Sequence, residues 1–346
     1  MKRVAVVILN WNGRHFLEKF LPALVEHTAG TTGEIIVADN ASTDDSIDFL
    51  KNKYPEIPLI LLEKNYGFAE GYNKALEHLS HEYFLLLNSD IEVGENWLEP
   101  MVSFLDTHSE FAACGPVLLD YNHRTKYEYA GAAGGYMDKY GYTFCRGRVF
   151  NQVESADTIP GKTTEVFWTS GACMLVRSAV YSELDGLDPQ FFAHMEEIDL
   201  CWRMKNHGYR LALVPESRVY HVGGGTLPKS NPFKTYLNFR NNLLLLYKNL
   251  PERLLRKTIR KRMLLDGVSG IMFMLTLKFK DLQAVLKAHR SYREMKPGYN
   301  RKNIPEALPS DVYMASVVFD YFLAGNKTFS QLRKNYGEEM NTRTID

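Results

Sequence analysis

The chain has 346 residues, 45% of them hydrophobic, with 41 basic and 41 acidic side chains and a formal net charge of zero. That length supports one large α/β core with an appendage, and the balanced charge gives no overall pull toward nucleic acid. Four cysteines (Cys114, Cys145, Cys173, Cys201) without C-x-x-C or metal spacing fit buried thiols in a reducing compartment, and no charge-free apolar run reaches the roughly 18 residues that span a bilayer.

Met1-Lys2-Arg3 ahead of an apolar run has a signal-peptide outline. The run is short, and Asn10-Trp11-Asn12 stands where a small-residue cleavage site belongs, so residues 4–9 read as a first strand. A helix follows, with Phe16, Leu17, Phe20, Leu21 and Leu24 at helical spacing. Residues 34–38 form the second strand, ending in Asp39-Asn40. Ser42 or Thr43 is expected to cap the next helix, with Asp44 and Asp45 in its first turn. Residues 59–62 are a third strand, and Asn65-Tyr66-Gly67-Phe68 leads a helix to about Leu79.

Residues 83–87 run Tyr-Phe-Leu-Leu-Leu without a break and stop at Asn88-Ser89-Asp90. Such a run suits a central strand of a parallel sheet, buried on both faces. Strand–helix alternation with short links predicts a doubly wound, mostly parallel sheet flanked by helices. A helix over 97–105 and a strand over 112–119 follow. From 120 to 165 the pattern breaks into a Gly-, Tyr- and charge-rich irregular insertion. Periodicity returns with a strand at 172–176, a helix at 196–206 and two short strands at 210–214 and 218–220. Beyond Pro232 the chain reads as helical, with a loop over 297–309.

Ligands of open α/β sheets bind outside the carboxyl ends of the strands, where this chain presents Asn10-Trp11-Asn12, Asp39-Asn40 and Asn88-Ser89-Asp90. A nucleotide needs a flat surface for its base, an acceptor for base or ribose donors, and positive charge for its diphosphate. Trp11 offers the first and Asp39 the second. Asp90 offers the third by holding Mg²⁺ or Mn²⁺, since hard cations take oxygen ligands alongside substrate phosphates. Singly, Trp11 also reads as core edge, Asp39 as a turn former and Asp90 as part of a solvated turn. No G-x-G-x-x-G follows the first strand, Gly161-Lys162-Thr163 lacks the rest of a P-loop, and there is no G-x-S-x-G elbow.

The chain resembles the family 2 glycosyltransferases, inverting enzymes of GT-A fold, especially their rhamnosyltransferase-like branch. The resemblance covers about residues 4–243. It rests on Val-Val-Ile-Leu-Asn-Trp-Asn (6–12), Val-Ala-Asp-Asn-Ala-Ser-Thr-Asp (37–44), Asn65-Tyr66-Gly67-Phe68-Ala69 with Asn73, Leu-Leu-Asn-Ser-Asp (86–90), Gly171-Ala172-Cys173-Met174, residues 191–203, and His221 with Arg240-Asn241. It implies a nucleoside-diphosphate sugar donor, with Asn10, Trp11, Asp39, Gly67, Asn73, Ser89 and Arg240 on the nucleotide-sugar side. Asn88-Ser89-Asp90 occupies the family's D-x-D position, with Asp90 on the metal and Asn88 in place of the first aspartate. His221 is a further candidate metal ligand or a structural histidine, and the glycines after it suit a loop over the diphosphate. Arg240 either neutralises phosphate charge or sits on a helix surface.

At Met195-Glu196-Glu197-Ile198-Asp199 the family pattern Glu-Asp-x-Asp puts its catalytic base where this chain has Glu197, one methylene longer. Asp199 is the reserve candidate, and all three carboxylates also favour the macrodipole of the helix that they open. Trp168, Gly171 and Glu196 fall on the acceptor side by family position. Residues 1–245 are thus expected to be a GT-A glycosyltransferase domain (donor half 1–119, acceptor and catalytic half 120–245), and 246–346 a basic helical extension. The basic and apolar stretch 253–302 suits an anionic membrane surface, a packed appendage or a dimer interface. The expected activity is transfer of a hexose or deoxyhexose to a lipid-linked or polysaccharide acceptor, without nucleic acid, in the cytoplasm or peripherally at the cytoplasmic face of the membrane. A sugar nucleotidyltransferase and a catalytically silent nucleotide-sugar-binding module are the alternatives.

Overall fold

The computed structural model describes residues 2–223, 231–301, 304–336 and 344–345. Strand β1 (Val4–Asn10) is buried at all but one position, as an apolar run without alternation requires of a strand covered on both faces. Helix α1 (Arg14–Thr28) presses Leu17, Leu21 and Leu24 against one sheet face. Strand β2 (Gly33–Asp39), helix α2 (Ser46–Lys53), strand β3 (Leu59–Leu61), helix α3 (Gly67–Leu76) and strand β4 (Tyr83–Leu87) continue the alternation. Ser42 and Thr43 do not cap α2. Ser42 Oγ instead accepts from Asn12 N–H at 2.9 Å, and Asp44 Oδ1 accepts from Ser46 N–H at 3.1 Å at the helix start.

Strand β5 (Ile91–Val93), helix α4 (Glu99–Thr107) and strand β6 (Phe111–Asp120) precede the insertion. That segment is ordered rather than irregular. It folds into a small antiparallel sheet of β7 (Gly135–Met137), β8 (Thr143–Cys145), β9 (Arg148–Val149) and β10 (Gln152–Val153). Then come β11 (Thr164–Glu165), β12 (Cys173–Arg177), α5 (Ser178–Glu183), α6 (Glu196–Asn206) and β13 (Arg210–His221). Helices α7 (Pro232–Asn249), α8 (Glu252–Leu275), α9 (Phe279–Met295), α10 (Val317–Phe322) and α11 (Phe329–Tyr336) complete the chain.

The nine-stranded main sheet runs β11-β13-β6-β12-β4-β1-β2-β3, with β5 paired to β13. Pairs among β1, β2, β3 and β4 are parallel where expected, and β6 is parallel to β13. β12 departs from that rule, lying antiparallel between β4 and β6. The long insertion ahead of it replaces a crossover helix, so the strand enters from the opposite end. β13 is one strand rather than two: its register shifts between Val214 and Arg218, across Pro215, which has no ladder N–H to donate. Ser217 Oγ anchors that bulge by donating to the Trp97 carbonyl.

Each sheet face has its own core. Val4, Val6 and Ile8 pack with α1 and α4 on one side; Ala5 and Val7 pack with residues of α3, α6 and α7 on the other. Each fully buried large apolar side chain contributes about 1.5–3 kcal/mol. A division at residue 245 cuts through α7, and Leu255, Tyr292, Val317 and Phe329 from later helices share the second core.

Candidate active site

The register of β1 and β2 sets Asn10 beside Asp39. Asn10 Nδ2 donates to Asp39 Oδ2 at 2.9 Å, and Ser42 N–H donates to Asp39 Oδ1 at 2.8 Å. Asp39 is wholly buried, so both its oxygens already have protein donors, while the buried Asn10 Oδ1 has no partner among the described residues. Asn12, in the left-handed region at φ 51°, accepts from Thr43 N–H at 2.7 Å and so ties the two strand ends together. Trp11 projects from this stitched edge with 46% of its surface open, which leaves an aromatic face for a planar ligand.

The end of β4 is pinned differently. Asn88 N–H donates to the Ala172 carbonyl at 2.9 Å, and Ser89 Oγ lies on the Gly13 side of the edge. Asp90 is almost fully buried, with Oδ1 3.1 Å from Nε2 of His221 at the end of β13. His221 Nδ1 is 3.5 Å from Glu128 Oε1, and Glu128 Oε2 accepts from the N–H groups of Ala130 and Gly131 at 2.6 and 3.0 Å. Burial works against charge on His221, yet the flanking carboxylates outweigh it and push its pKa up to about 10. Burial likewise opposes ionisation of Asp90, but the hydrogen bond and charge of His221 hold its carboxyl below the usual range.

A divalent cation can take these donors once it displaces the proton that His221 shares with Asp90, because a metal-bound imidazole is neutral. Ligands at 2.0–2.1 Å around an octahedral ion stand about 3 Å from their neighbours, the spacing of Asp90 Oδ1 and His221 Nε2. No group of three or more His, Cys, Asp or Glu side chains forms a complete cage among the described residues. Two protein donors with phosphate and water in the remaining positions is the usual pattern for such ions. Gly224 and Gly225 of the expected diphosphate loop lie outside the described residues.

The second acidic centre sits on a strained loop. Phe192, His194 and Met195 all have left-handed backbones, at φ 65°, 69° and 74°. Such conformations persist only where the surroundings over-determine them. Here the N-terminus of α3 donates Phe68 N–H to the Phe192 carbonyl at 3.0 Å, and α7 holds the other carbonyls. Arg240 Nη2 donates to those of Gln190 and Phe191 at 3.0 and 2.9 Å. Asn241 Nδ2 lies 3.0, 2.9 and 2.7 Å from those of Phe191, Ala193 and His194. Gly67 is required at this junction: its φ is 75°, and a Cβ there would lie 2.7 Å from the Phe192 ring.

The loop delivers Glu196 and Glu197 to the first turn of α6. Glu196 is buried; Glu197 is half-buried. The Oε2 atom of each is buried with no hydrogen-bond partner among the described residues. Burial, with each carboxylate beside the other, pushes the Glu196 carboxyl well up; burial alone pushes Glu197 up, to about 7, against the N–H groups of the helix start. A Cβ on Gly171 would come 3.3 Å from Glu197 Cβ, so the chain just ahead of β12 touches the base candidate. Since Ala172 is bonded to Asn88, the strand end bearing Asp90 and the loop bearing Glu197 belong to one edge of the molecule.

Four expected site residues are used otherwise. Asp199 is wholly buried among Arg203 (2.8 Å), Lys248 (2.8 Å) and Asn249 (2.8 Å), and the cations Lys248 and Arg203 hold its pKa low despite burial, so it is an ion-cluster residue and a poor base. Trp168 is a core residue: Nε1 donates to the Tyr136 carbonyl at 3.0 Å, and its ring lies where any Cβ on Gly135 would fall. Arg240 holds backbone carbonyls instead of facing phosphate. Asn73 bridges α3 to the chain before α6, donating to the Leu187 carbonyl at 2.6 Å and accepting from Tyr181 Oη–H at 2.6 Å.

The model for the family described as "Glycosyl transferase family 2" matches residues 5–185, a span that includes both strand ends and the β12 edge. The chain is a family 2 glycosyltransferase. The enzyme is 23% identical over 230 residues to an N-acetylglucosaminyl-diphospho-decaprenol L-rhamnosyltransferase of Mycobacterium tuberculosis, a match covering 62% of this chain and 75% of the relative. It is 23% identical over 245 residues to the dTDP-rhamnosyl transferase RfbF of Shigella flexneri, covering 67% and 76%. Among solved structures it is similar to GalNAc-T7 with UDP, GalNAc and Mn2+ (TM-score 0.57, 17% identity, 73% of this chain, 49% of that one). It is also similar to the Pyrobaculum calidifontis mannosyltransferase PcManGT with GDP-Man and Mn2+ (TM-score 0.51, 14% identity, 84% and 75%). These likenesses establish the GT-A fold.

Two residues of the candidate site were not singled out from the sequence. Glu128 lies in the insertion, 93 positions from His221, and nothing local marks it. Asn241 was visible only as part of a motif, and its grip on three carbonyls depends on how α7 crosses the loop.

Proposed function

We propose that this glycosyltransferase is inverting and moves a hexose or deoxyhexose from a nucleoside-diphosphate sugar to a hydroxyl of a lipid-linked or polysaccharide acceptor. The observation that carries the reading is the Glu197 carboxyl, half-buried, unpartnered at Oε2 and raised to about 7. A base is most effective with a pKa near the working pH. In the proposed step Glu197 takes the acceptor hydroxyl's proton as that oxygen bonds the anomeric carbon, and the bond to the diphosphate breaks with its electron pair leaving on phosphate. Trp11 stacks on the nucleotide base, while Asn10, Asp39, Ser89 and Gly67 shape the donor edge. Gly171 and Glu196 line the acceptor side. A divalent cation, Mg²⁺ or Mn²⁺, held by Asp90 and His221 would offset charge on the leaving diphosphate. The decaprenol-linked acceptor named for the mycobacterial relative supports a lipid-linked acceptor here.

Residues 1–119 then serve the donor and 120–245 the acceptor and base, with residues 253–302 meeting the cytoplasmic face of the membrane; Lys302 lies outside the described residues. No helix among the described residues is long and apolar enough to cross it. A thermal-shift screen of nucleotide sugars, with and without Mg²⁺ or Mn²⁺, tests the donor assignment. One donor should raise the melting temperature by mass action, and more so with metal. Release of pyrophosphate from a nucleoside triphosphate and a sugar phosphate would instead favour nucleotidyl transfer.

A further inference from the structure

Helices α8 and α9 form a hairpin whose base is locked and whose outer face is bare. At the base, Arg262 Nε donates to Asp266 Oδ1 at 2.8 Å, His289 meets Asp266 Oδ2 at 3.1 Å, and the Arg262 guanidinium lies 4.0 Å over the Tyr142 ring. Leu255, Thr258, Arg262, Asp266 and Gly270 are the buried side of α8. On the opposite side Leu264, Val268, Ile271, Met272 and Leu275 follow each other at i, i+4, i+7, i+8 and i+11. They form one helical stripe, each member between 54% and 73% exposed. Leu277 and Phe279 extend it around the turn, at 74% and 53%.

Cations bound this stripe at both ends. Lys257, Arg260 and Lys261 are exposed one and two turns before it, and Lys278 and Lys280 flank its far end. Between Arg253 and Arg293 no acidic side chain is exposed. Leu264 to Leu275 spans about 17 Å at 1.5 Å per residue. Backbone groups at the turn are closed internally: Thr276 N–H donates to Met272, Leu277 N–H to Met274 and Lys278 N–H to Phe273. With these three donors paired, the turn carries fewer unsatisfied N–H groups as it leaves water. A second copy docked through the same face is a poor occupant, because its cations would meet these with the exposed acids Glu252 and Glu294 lying beyond the stretch.

We propose that the outer face of α8, from Leu264 to Leu275 and on to Phe279, seats in the headgroup–acyl boundary of an anionic lipid surface. The helix lies along the surface with its apolar stripe buried about 5–10 Å, and the cations at either end meet lipid phosphates. This deepens the membrane contact proposed above and rests on it, adding which face docks and which charge it requires.

The test is co-sedimentation of the full chain with vesicles of equal phosphatidylglycerol and phosphatidylcholine, against pure phosphatidylcholine. Wild type should pellet with the anionic vesicles only. Ile271→Asp combined with Leu275→Asp, two exposed positions that leave the core intact, should lower binding at least tenfold while the nucleotide-sugar thermal shift stays unchanged. Lys278→Gln should weaken binding about fivefold. If wild type ignores anionic vesicles, membrane contact itself is wrong. If wild type binds and the double variant binds equally well, contact stands but this face is not the docking surface. A dimer in solution that the double variant dissociates, without vesicle binding, would assign the stripe to a second copy and overturn the proposal.

Discussion

Asp90 and Glu197 are carboxylates of one molecular edge with opposite surroundings. Asp90 ends a buried strand and finds His221 at 3.1 Å, with Glu128 behind that ring; the pair keeps Asp90 ionised although it is almost fully buried. Glu197 opens a helix, on a loop with three left-handed residues, and its Oε2 meets no donor, so burial moves its pKa the other way. Where two environments push like groups apart, the chemistry divides between them. The partnered carboxylate suits a permanent charge that holds a cation. The unpartnered one suits a proton that comes and goes.

The largest blow to this division is Asp90→Ala. Transfer should fall at least about 100-fold, and the donor's thermal shift should lose its dependence on added Mg²⁺ or Mn²⁺. Glu128→Gln should keep the hydrogen bonds to Ala130 and Gly131 but remove the charge behind His221. A metal titration of transfer should then shift by about 10–100-fold. Asn241→Ala strips the clamp from three carbonyls of the strained loop. It should cost about 1–3 kcal/mol in denaturant unfolding and lower kcat while the donor KM holds.

The smallest effect is on stability and follows from the sign of the Glu197 shift. Its pKa rises from 4.5 unfolded to about 7 folded, so the native state binds more proton between those values. Stability from this group is full below about pH 4.5 and is lost as pH rises through 7. Glu197→Gln should therefore stabilise the fold by about 1–3 kcal/mol at pH 8 and by nothing at pH 4. Melting curves at the two pH values measure this directly.

Much of the strand-end edge that forms the candidate site was legible because strand ends announce themselves: five apolar residues followed by Asn88-Ser89-Asp90 leave little choice of structure. Helix α6 likewise begins and ends where periodicity places it, and α7 begins at Pro232. The direction of β12, the continuity of β13 and the small sheet of the insertion were not legible. Strand direction and cross-chain pairing are decided by tertiary contacts, and no residue within a segment encodes them. The same limit applied to Asp199. Two positions after Glu197 it points about 200° around the helix, and the sequence does not say which side meets Lys248 and Asn249.

On the proposed mechanism Glu197 removes the acceptor proton and does nothing for donor binding. The direct measurement is single-turnover transfer by Glu197→Gln at saturating donor, with the donor Kd measured on the same preparation. An unchanged Kd and a rate lower by about 10²–10⁴ are expected. Transfer at the wild-type rate, or a lost rate that is wholly explained by lost donor affinity, would contradict that mechanism.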